Sequence, residues 1–236
     1  MRGRSKKLAR AMVLGLLLSG LSAQAGVDEP FGLAAVEVTD GPLWTTWQNL
    51  QVKMQSEKRV IAQCRAEPQS CTSQVAQRFI EIVKEGDRHE GLARIGRINR
   101  AANLAIFAVN APAVQTIWTS PLESLAAGAG DCKQYAVLKY AALVDAGFSL
   151  DDLRLVIVNI VRRQTPDTQQ AIHAVVAVRD KMLWYILDNR SLAVIESGNL
   201  ADYYRPLFAL DHRGVRQYIQ PLTPEAALAL CNESAG

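Results

Sequence analysis

The sequence has no phosphate-binding loop, no dinucleotide fingerprint, no zinc-type cluster of cysteines and histidines, no internal repeat and no low-complexity tract. These absences set aside nucleotide-driven chemistry, structural zinc and repeat architectures. Beyond the first 25 residues, no apolar run approaches the length of a membrane span. A basic excess is missing too. Arg2, Arg4, Lys6, Lys7 and Arg10 all lie in the leader, which has no acidic residue, and the remainder holds 21 basic against 23 acidic residues, a net charge of −2. That balance gives no electrostatic ground for nucleic acid or an anionic membrane surface as a partner.

The leader has a basic start, an apolar run over Ala11–Leu21 and a small-residue end at Ala23-Gln24-Ala25. This order predicts a secretory signal peptide over 1–25, cleaved after Ala25, and hence a periplasmic protein. The stretch 26–236 is long enough for one domain with a substantial core. Cysteine is scarce: Cys64, Cys71, Cys132 and Cys231. In an oxidising compartment, Cys64 and Cys71, separated by a loop containing Pro68, are expected to form a local disulfide. Cys132 is then a candidate free thiol, and Cys231 has no assigned role. A Cys132–Cys231 bridge is the competing structural reading.

The most informative stretch is Gly128-Ala129-Gly130-Asp131-Cys132-Lys133-Gln134-Tyr135-Ala136, a glycine-rich turn running into a helix. Asp131 is a good N-cap, no proline or glycine interrupts Cys132–Ala146, and Gly147 stops the run. Cys132 thus falls at the first helical position, where free backbone amides and the helix dipole stabilise a thiolate. Val137, Leu138, Tyr140, Ala141, Ala142, Leu143 and Val144 make the helix apolar nearly all round, as a buried helix requires. A lone cysteine in such a helix is more often packing than chemistry.

Ahead of this stretch, the periodicity predicts helices from Pro42 to about Cys64, over Ser73–Lys84 and over Glu90–Ala108. Trp44 and Trp47 read as core residues, Arg94, Arg97 and Arg100 as a solvated face, and the residues up to Thr39 as extended or mobile. Pro112–Pro121 is a connector whose Trp118 either packs or lines a cleft. After Gly147 the pattern turns to strands over Leu153–Val161, Ile172–Val178, Leu183–Leu187, Leu192–Ile195, Leu207–Leu210 and Val215–Ile219. The polar loop Arg162–Gln170 is a candidate groove border. The expected architecture is α+β: N-terminal helices and a buried nucleophile helix packed on an antiparallel sheet.

His173 lies in the second of these strands and Asp188 ends the third. A hairpin with Asp180-Lys181 as its two-residue loop places His173 directly opposite Asp188, on one face of the sheet. Packing the Cys132 helix on that face assembles nucleophile, base and orienting carboxylate. Taken singly, His173 reads equally well as a core histidine and Asp188 as a turn residue.

At Ser120-Pro121, Gly130-Asp131-Cys132 with Tyr135-Ala136, His173-Ala174-Val175 and Leu187-Asp188-Asn189, the chain resembles the bacterial transglutaminase-like cysteine peptidases, which include the LapG-type periplasmic proteases. The resemblance implies a papain-like fold, a Cys-His-Asp triad on Cys132, His173 and Asp188, and a protein substrate. For LapG-type members it further implies a large surface adhesin as substrate and an inner-membrane cyclic-di-GMP receptor as partner. Such members bind calcium through acidic residues around the cysteine. Here Lys133 and Gln134 follow Cys132, so no metal and no cofactor requirement is expected. Two further readings stay open: a transglutaminase or amidase using the same acyl-enzyme, and a non-catalytic periplasmic binding module that has kept the fold.

Overall fold

The computed structural model describes residues 29–109, 117–161 and 171–221. The expected leader, the polar loop at 162–170 and Cys231 lie outside the described residues. Helix α1 (Pro42–Ala66) starts with proline at its first turn, where a missing N–H costs nothing. It buries Trp47, Leu50, Ile61 and Cys64. The expected disulfide is present: Cys64 near the end of α1 is bonded to Cys71, Cα atoms 4.7 Å apart, and ties α1 to the start of α2 (Gln74–Lys84). Ser73 caps α2 by accepting from the Ala76 N–H.

Helix α3 (Gly91–Ala105) stops three residues short of its expected end. Ile106 is extended, and its carbonyl accepts from the Tyr135 hydroxyl at 2.7 Å. The next residues form β2 (Phe107–Ala108), parallel to β3 (Ala129–Gly130), through Phe107 N–H to Gly128 O and Val109 N–H to Gly130 O. Arg94 does not join a solvated face. Its guanidinium donates to Ala146 O at 2.6 Å and lies over the Phe148 ring.

The connector before the glycine-rich turn contains an unanticipated helix, α4 (Pro121–Ala127). Its signal was legible as Ser120-Pro121-Leu122-Glu123, a capping box with proline at the first turn. Glu57 of α1 reinforces it by accepting from the Ser120 hydroxyl and the Leu122 N–H. Helix α5 (Cys132–Asp145) follows directly.

Seven strands form one sheet in the order β1-β9-β8-β4-β5-β6-β7. They are β1 (Ala35–Val38), β4 (Leu153–Ile160), β5 (Ala171–Asp180), β6 (Leu183–Leu187), β7 (Val194–Glu196), β8 (Tyr204–Asp211) and β9 (Gly214–Tyr218), with every neighbouring pair antiparallel. The helices pack on one face, where Leu155, Ala174, Val176, Val178, Leu187 and Leu210 join the main core with α5. The other face carries Val156, Val158, Val175, Ala177, Trp184 and Ile186, covered by Phe31, Leu33 and Leu200. Burial on both faces explains why β4 and β5 read as continuous apolar runs rather than alternating ones.

The segment before Thr39 is held by the β1–β9 ladder, by the packing of Phe31 and Leu33 on the second sheet face, and by charge. Glu29 pairs with Arg154 and Arg216, and both arginines also reach the fully buried Asp211. Trp47, with its indole N–H on Asp211 O at 2.8 Å and its ring edge-on to Tyr140, is a core residue as read. Half-buried Trp118 packs against the main core.

Candidate active site

Gly128 ends α4 with φ of +67°, a left-handed value that glycine adopts without strain. Gly130 is required for a different reason. A Cβ there would stand 2.5 Å from the Cβ of Gln134, so only glycine lets β3 pass this close to the first turn of α5. Asp131 caps that turn, its carboxylate accepting from the Lys133 N–H at 2.9 Å and pairing with the Lys133 ammonium. Gln134 closes the reciprocal half of the capping box, accepting from the Asp131 N–H at 3.0 Å and donating to Ile117 O at 2.9 Å. Cys132 therefore sits at the first helical position, as a half-buried free thiol.

The expected hairpin register is corrected. Asp180 pairs with Leu183, so the two loop residues are Lys181 and Met182, and Lys181 takes the positive φ of 59° that a tight hairpin favours. Val176 pairs with Leu187, which leaves Asp188 one step past the strand, level with Val175 and diagonal to His173. A diagonal neighbour keeps the same sheet face and remains within reach of an imidazole. His173 Nε2 lies 2.8 Å from Asp188 Oδ1, and both residues are buried.

The face on which α5 packs is also corrected. Its body lies against Ala174, Val176 and Val178, the face opposite that of Val175 and hence of His173. The meeting occurs at the sheet edge instead. Strand β6 ends at Leu187, opposite Val176, so β5 from Ala171 to Val175 has no β6 neighbour. There the Cys132 side chain comes close enough to the imidazole to raise its proton affinity. Because Nε2 faces Asp188, Nδ1 is the nitrogen left for the thiol.

Sequence reasoning missed the groups that surround Asp188. Oδ1 also accepts from the Arg190 N–H at 2.9 Å, and Oδ2 accepts from Arg190 Nε at 3.2 Å, from Arg190 Nη2 at 3.1 Å and from the Tyr204 hydroxyl. The Asp188 carbonyl accepts from Asn103 Nδ2 of α3 at 3.1 Å. Arg190 stands two residues from Asp188 in a turn, but nothing in the linear pattern points to Tyr204 or Asn103, which arrive from other elements.

The electrostatics follow from these contacts. Burial disfavours the Asp188 anion, yet its hydrogen bond to His173, the His173 charge, the Arg190 N–H and Tyr204 outweigh that and hold its pKa far below the usual carboxylate range. Burial likewise disfavours the charged form of His173. The hydrogen bond to Asp188, the nearby Cys132 side chain and the Asp188 charge overcome it, and its pKa is raised. The pocket thus favours the protonated form of His173.

Helices packed on one face of an antiparallel sheet, with a cysteine at the first turn of the buried helix, define a transglutaminase-like architecture. Residues 54–204 match the bacterial transglutaminase-like cysteine proteinase family, and the chain belongs to that family. It is accordingly a cysteine peptidase with a protein substrate. The fold is similar to that of Legionella pneumophila LapG, with a TM-score of 0.53 at 18% identity over 68% of this chain and 86% of that one. A calcium-bound structure of Legionella pneumophila LapG gives 0.54 at 19% identity over 74% and 98% of the two chains, and an EGTA-treated one 0.53 at 18% over 68% and 84%. A search of curated proteins found no match.

The calcium-bound relative overturns the expectation of no metal drawn from Lys133 and Gln134. Calcium binding occurs on this fold. In the present chain the Asp131 carboxylate is engaged by Lys133, and the described residues contain no group of three or more His, Cys, Asp or Glu side chains arranged to hold an ion. Among the described residues, no helix is long and apolar enough to cross a membrane.

Proposed function

We propose that the protein is a periplasmic endopeptidase in which Cys132 is the nucleophile, His173 the general base and acid, and Asp188 the orienting carboxylate. The observation that carries this reading is the 2.8 Å contact of the His173 imidazole with Asp188, and the Cys132 side chain, which also raises the proton affinity of that imidazole, supports it. His173 takes the thiol proton through Nδ1 while Nε2–H stays on Asp188. The Cys132 sulfur then attacks the scissile carbonyl carbon, and the tetrahedral intermediate collapses to a thioester as the imidazolium protonates the leaving amine. Water, losing a proton to His173, attacks the thioester and releases the acid and the thiol. The backbone N–H of Cys132, at a helix N-terminus, is suited to donate to the developing oxyanion.

The family resemblance supplies the finer reading, a large surface adhesin as substrate and a cyclic-di-GMP receptor of the inner membrane as regulator, and the leader pattern supplies export with cleavage after Ala25. A transglutaminase outcome needs an amine in place of water at the second step, and a binding module needs no reactive thiol at all.

The test is alkylation of the mature protein by iodoacetamide from pH 5 to 9, without reductant, with the labelled cysteine mapped by mass spectrometry. Rapid labelling of Cys132 at pH 6 that is lost in His173→Ala supports the reading. Labelling no faster than a free thiol and indifferent to His173 overturns it in favour of the binding module. Incubation with a casein and a fluorescent amine separates the two enzymes: chain cleavage indicates a peptidase, and amine incorporation without cleavage a transglutaminase.

A further inference from the structure

Arg190 holds Asp188 by two separate grips. Its backbone N–H donates to Oδ1 at 2.9 Å, closing a turn two residues on. Its side chain reaches the other oxygen, with Nε at 3.2 Å and Nη2 at 3.1 Å from Oδ2. The same Nη2 donates to the Tyr204 hydroxyl, and that hydroxyl in turn donates to Oδ2. The guanidinium carbon lies 5.7 Å from the centroid of the Tyr204 ring. Three donors therefore meet on one oxygen, and two of them belong to Arg190.

The division of contacts between the two oxygens restrains the carboxylate. Oδ1 faces His173 Nε2 and the Arg190 N–H, and the carboxylate cannot turn away from the imidazole without breaking every contact on Oδ2. Without the guanidinium, Tyr204 is the one donor left on Oδ2 among the described residues. An arginine–carboxylate pair on open surface contributes little to stability. Here the Asp188 side chain is 12% exposed and that of Arg190 46%, so a half-solvated cation is tied to the buried acceptor that faces the imidazole. The groups around this carboxylate come from several elements: His173 from β5, Tyr204 from β8 and, on the Asp188 carbonyl, the neutral amide of Asn103 from α3. Arg190 is its permanently charged partner.

We propose that Arg190 is a positioning residue of the active site, whose guanidinium fork, set against Tyr204, holds Oδ2 of Asp188 so that Oδ1 stays on His173 Nε2. The proposal rests on the reading of Cys132, His173 and Asp188 given above. Nε2–H kept on Oδ1 fixes one imidazole tautomer and leaves Nδ1 for the thiol. The fork matters as well as the charge. Nε and Nη2 are rigidly spaced in one plane, which lets one side chain meet Asp188 and Tyr204 together, whereas lysine presents a single nitrogen on a flexible stem. The grip on Oδ1 is made by backbone, so replacing the side chain isolates the contacts on Oδ2.

The experiment compares wild type, Arg190→Met, Arg190→Lys and His173→Ala in three readouts: thermal unfolding, the rate of Cys132 alkylation by iodoacetamide at pH 6, and the ring-nitrogen NMR shifts of isotope-labelled histidine at a pH above the imidazole titration. The chain has 3 histidines, and the His173 signals are those lost in His173→Ala. Arg190→Met is expected to slow alkylation about tenfold and to replace the single Nε2–H tautomer of His173 by a mixture. Arg190→Lys keeps the charge without the fork and is expected to slow alkylation about threefold. A lowered melting temperature with wild-type alkylation and a wild-type tautomer would make Arg190 structural only, and wild-type values in all three readouts would equally overturn the proposal. If Arg190→Met does not fold, Arg190→Lys decides: slowed alkylation with a mixed tautomer supports the proposal, and wild-type behaviour overturns it. His173→Ala separates the two levels, because an unchanged alkylation rate in that variant sinks the underlying site reading rather than the role of Arg190.

Discussion

His173 and Asp188 stand diagonally across the β5–β6 hairpin, and the 2.8 Å contact between Nε2 and Oδ1 is made where β6 has already ended. The carboxylate is free of the ladder at that point. It can accept from His173, Arg190 and Tyr204 together, and the same open edge lets the first turn of α5 approach the imidazole from the other side. Termination of β6 is thus what permits a helix on one sheet face to meet a histidine on the other.

Asp188→Asn should keep the fold and lose the chemistry. The amide can donate as well as accept, so the imidazole tautomer is no longer fixed. Cleavage of a protein substrate by the peptidase is expected to fall by about two to four orders of magnitude, mainly in kcat. A fall confined to KM in steady-state kinetics would show that Asp188 serves substrate binding.

The stability of the pair should depend on pH in a defined window. Asp188 has a depressed pKa, so its contribution is present above its unfolded value, about pH 4, and is lost as the pH falls through the folded value. His173 has a raised pKa, so its contribution is complete below its unfolded value, about pH 6.5, and is lost as the pH rises through the folded value. The difference in melting temperature between wild type and His173→Ala should therefore be largest between about pH 4 and about pH 6.5. A difference that grows steadily above pH 8 would contradict the assignment.

Tyr204→Phe removes one donor from Asp188 Oδ2 and leaves the two Arg190 bonds. A loss of about 1–3 kcal/mol in chemical denaturation is expected, as for a buried hydrogen bond to a charged group. Labelling of Cys132 should slow only a few-fold, since Oδ1 still holds the imidazole. An effect as large as that of Asp188→Asn would mean the phenol, not the guanidinium, sets the carboxylate.

Gly130→Ala forces a methyl group against the Gln134 side chain, with Ile106 Cδ1 a further 3.3 Å contact. The turn must shift, at a cost of about 1–3 kcal/mol, and Cys132 shifts with it. Urea unfolding and the alkylation rate should both report the change. Wild-type values in both would show that the close passage of β3 is not required.

The sequence by itself determined the local features of the site. Helix propensity and capping place Cys132 at the first position of α5, and the Cys64–Cys71 pairing follows from a short loop between two helix ends. The shared face of His173 and Asp188 was legible too, because moving the hairpin loop by one residue changes the partner by two and preserves the alternation. What the tertiary structure decided was everything that depends on where elements stop and which face they cover. A positive φ at Lys181 set the register, the end of β6 opened the edge, and the packing of α5 on the Ala174 and Val176 face fixed the route by which the thiol reaches the imidazole. Arg190, Tyr204 and Asn103 come to Asp188 from a turn, a strand and a helix. Only the folded chain brings them together, since hydrogen-bond partners far apart in sequence are selected by packing and not by local propensity.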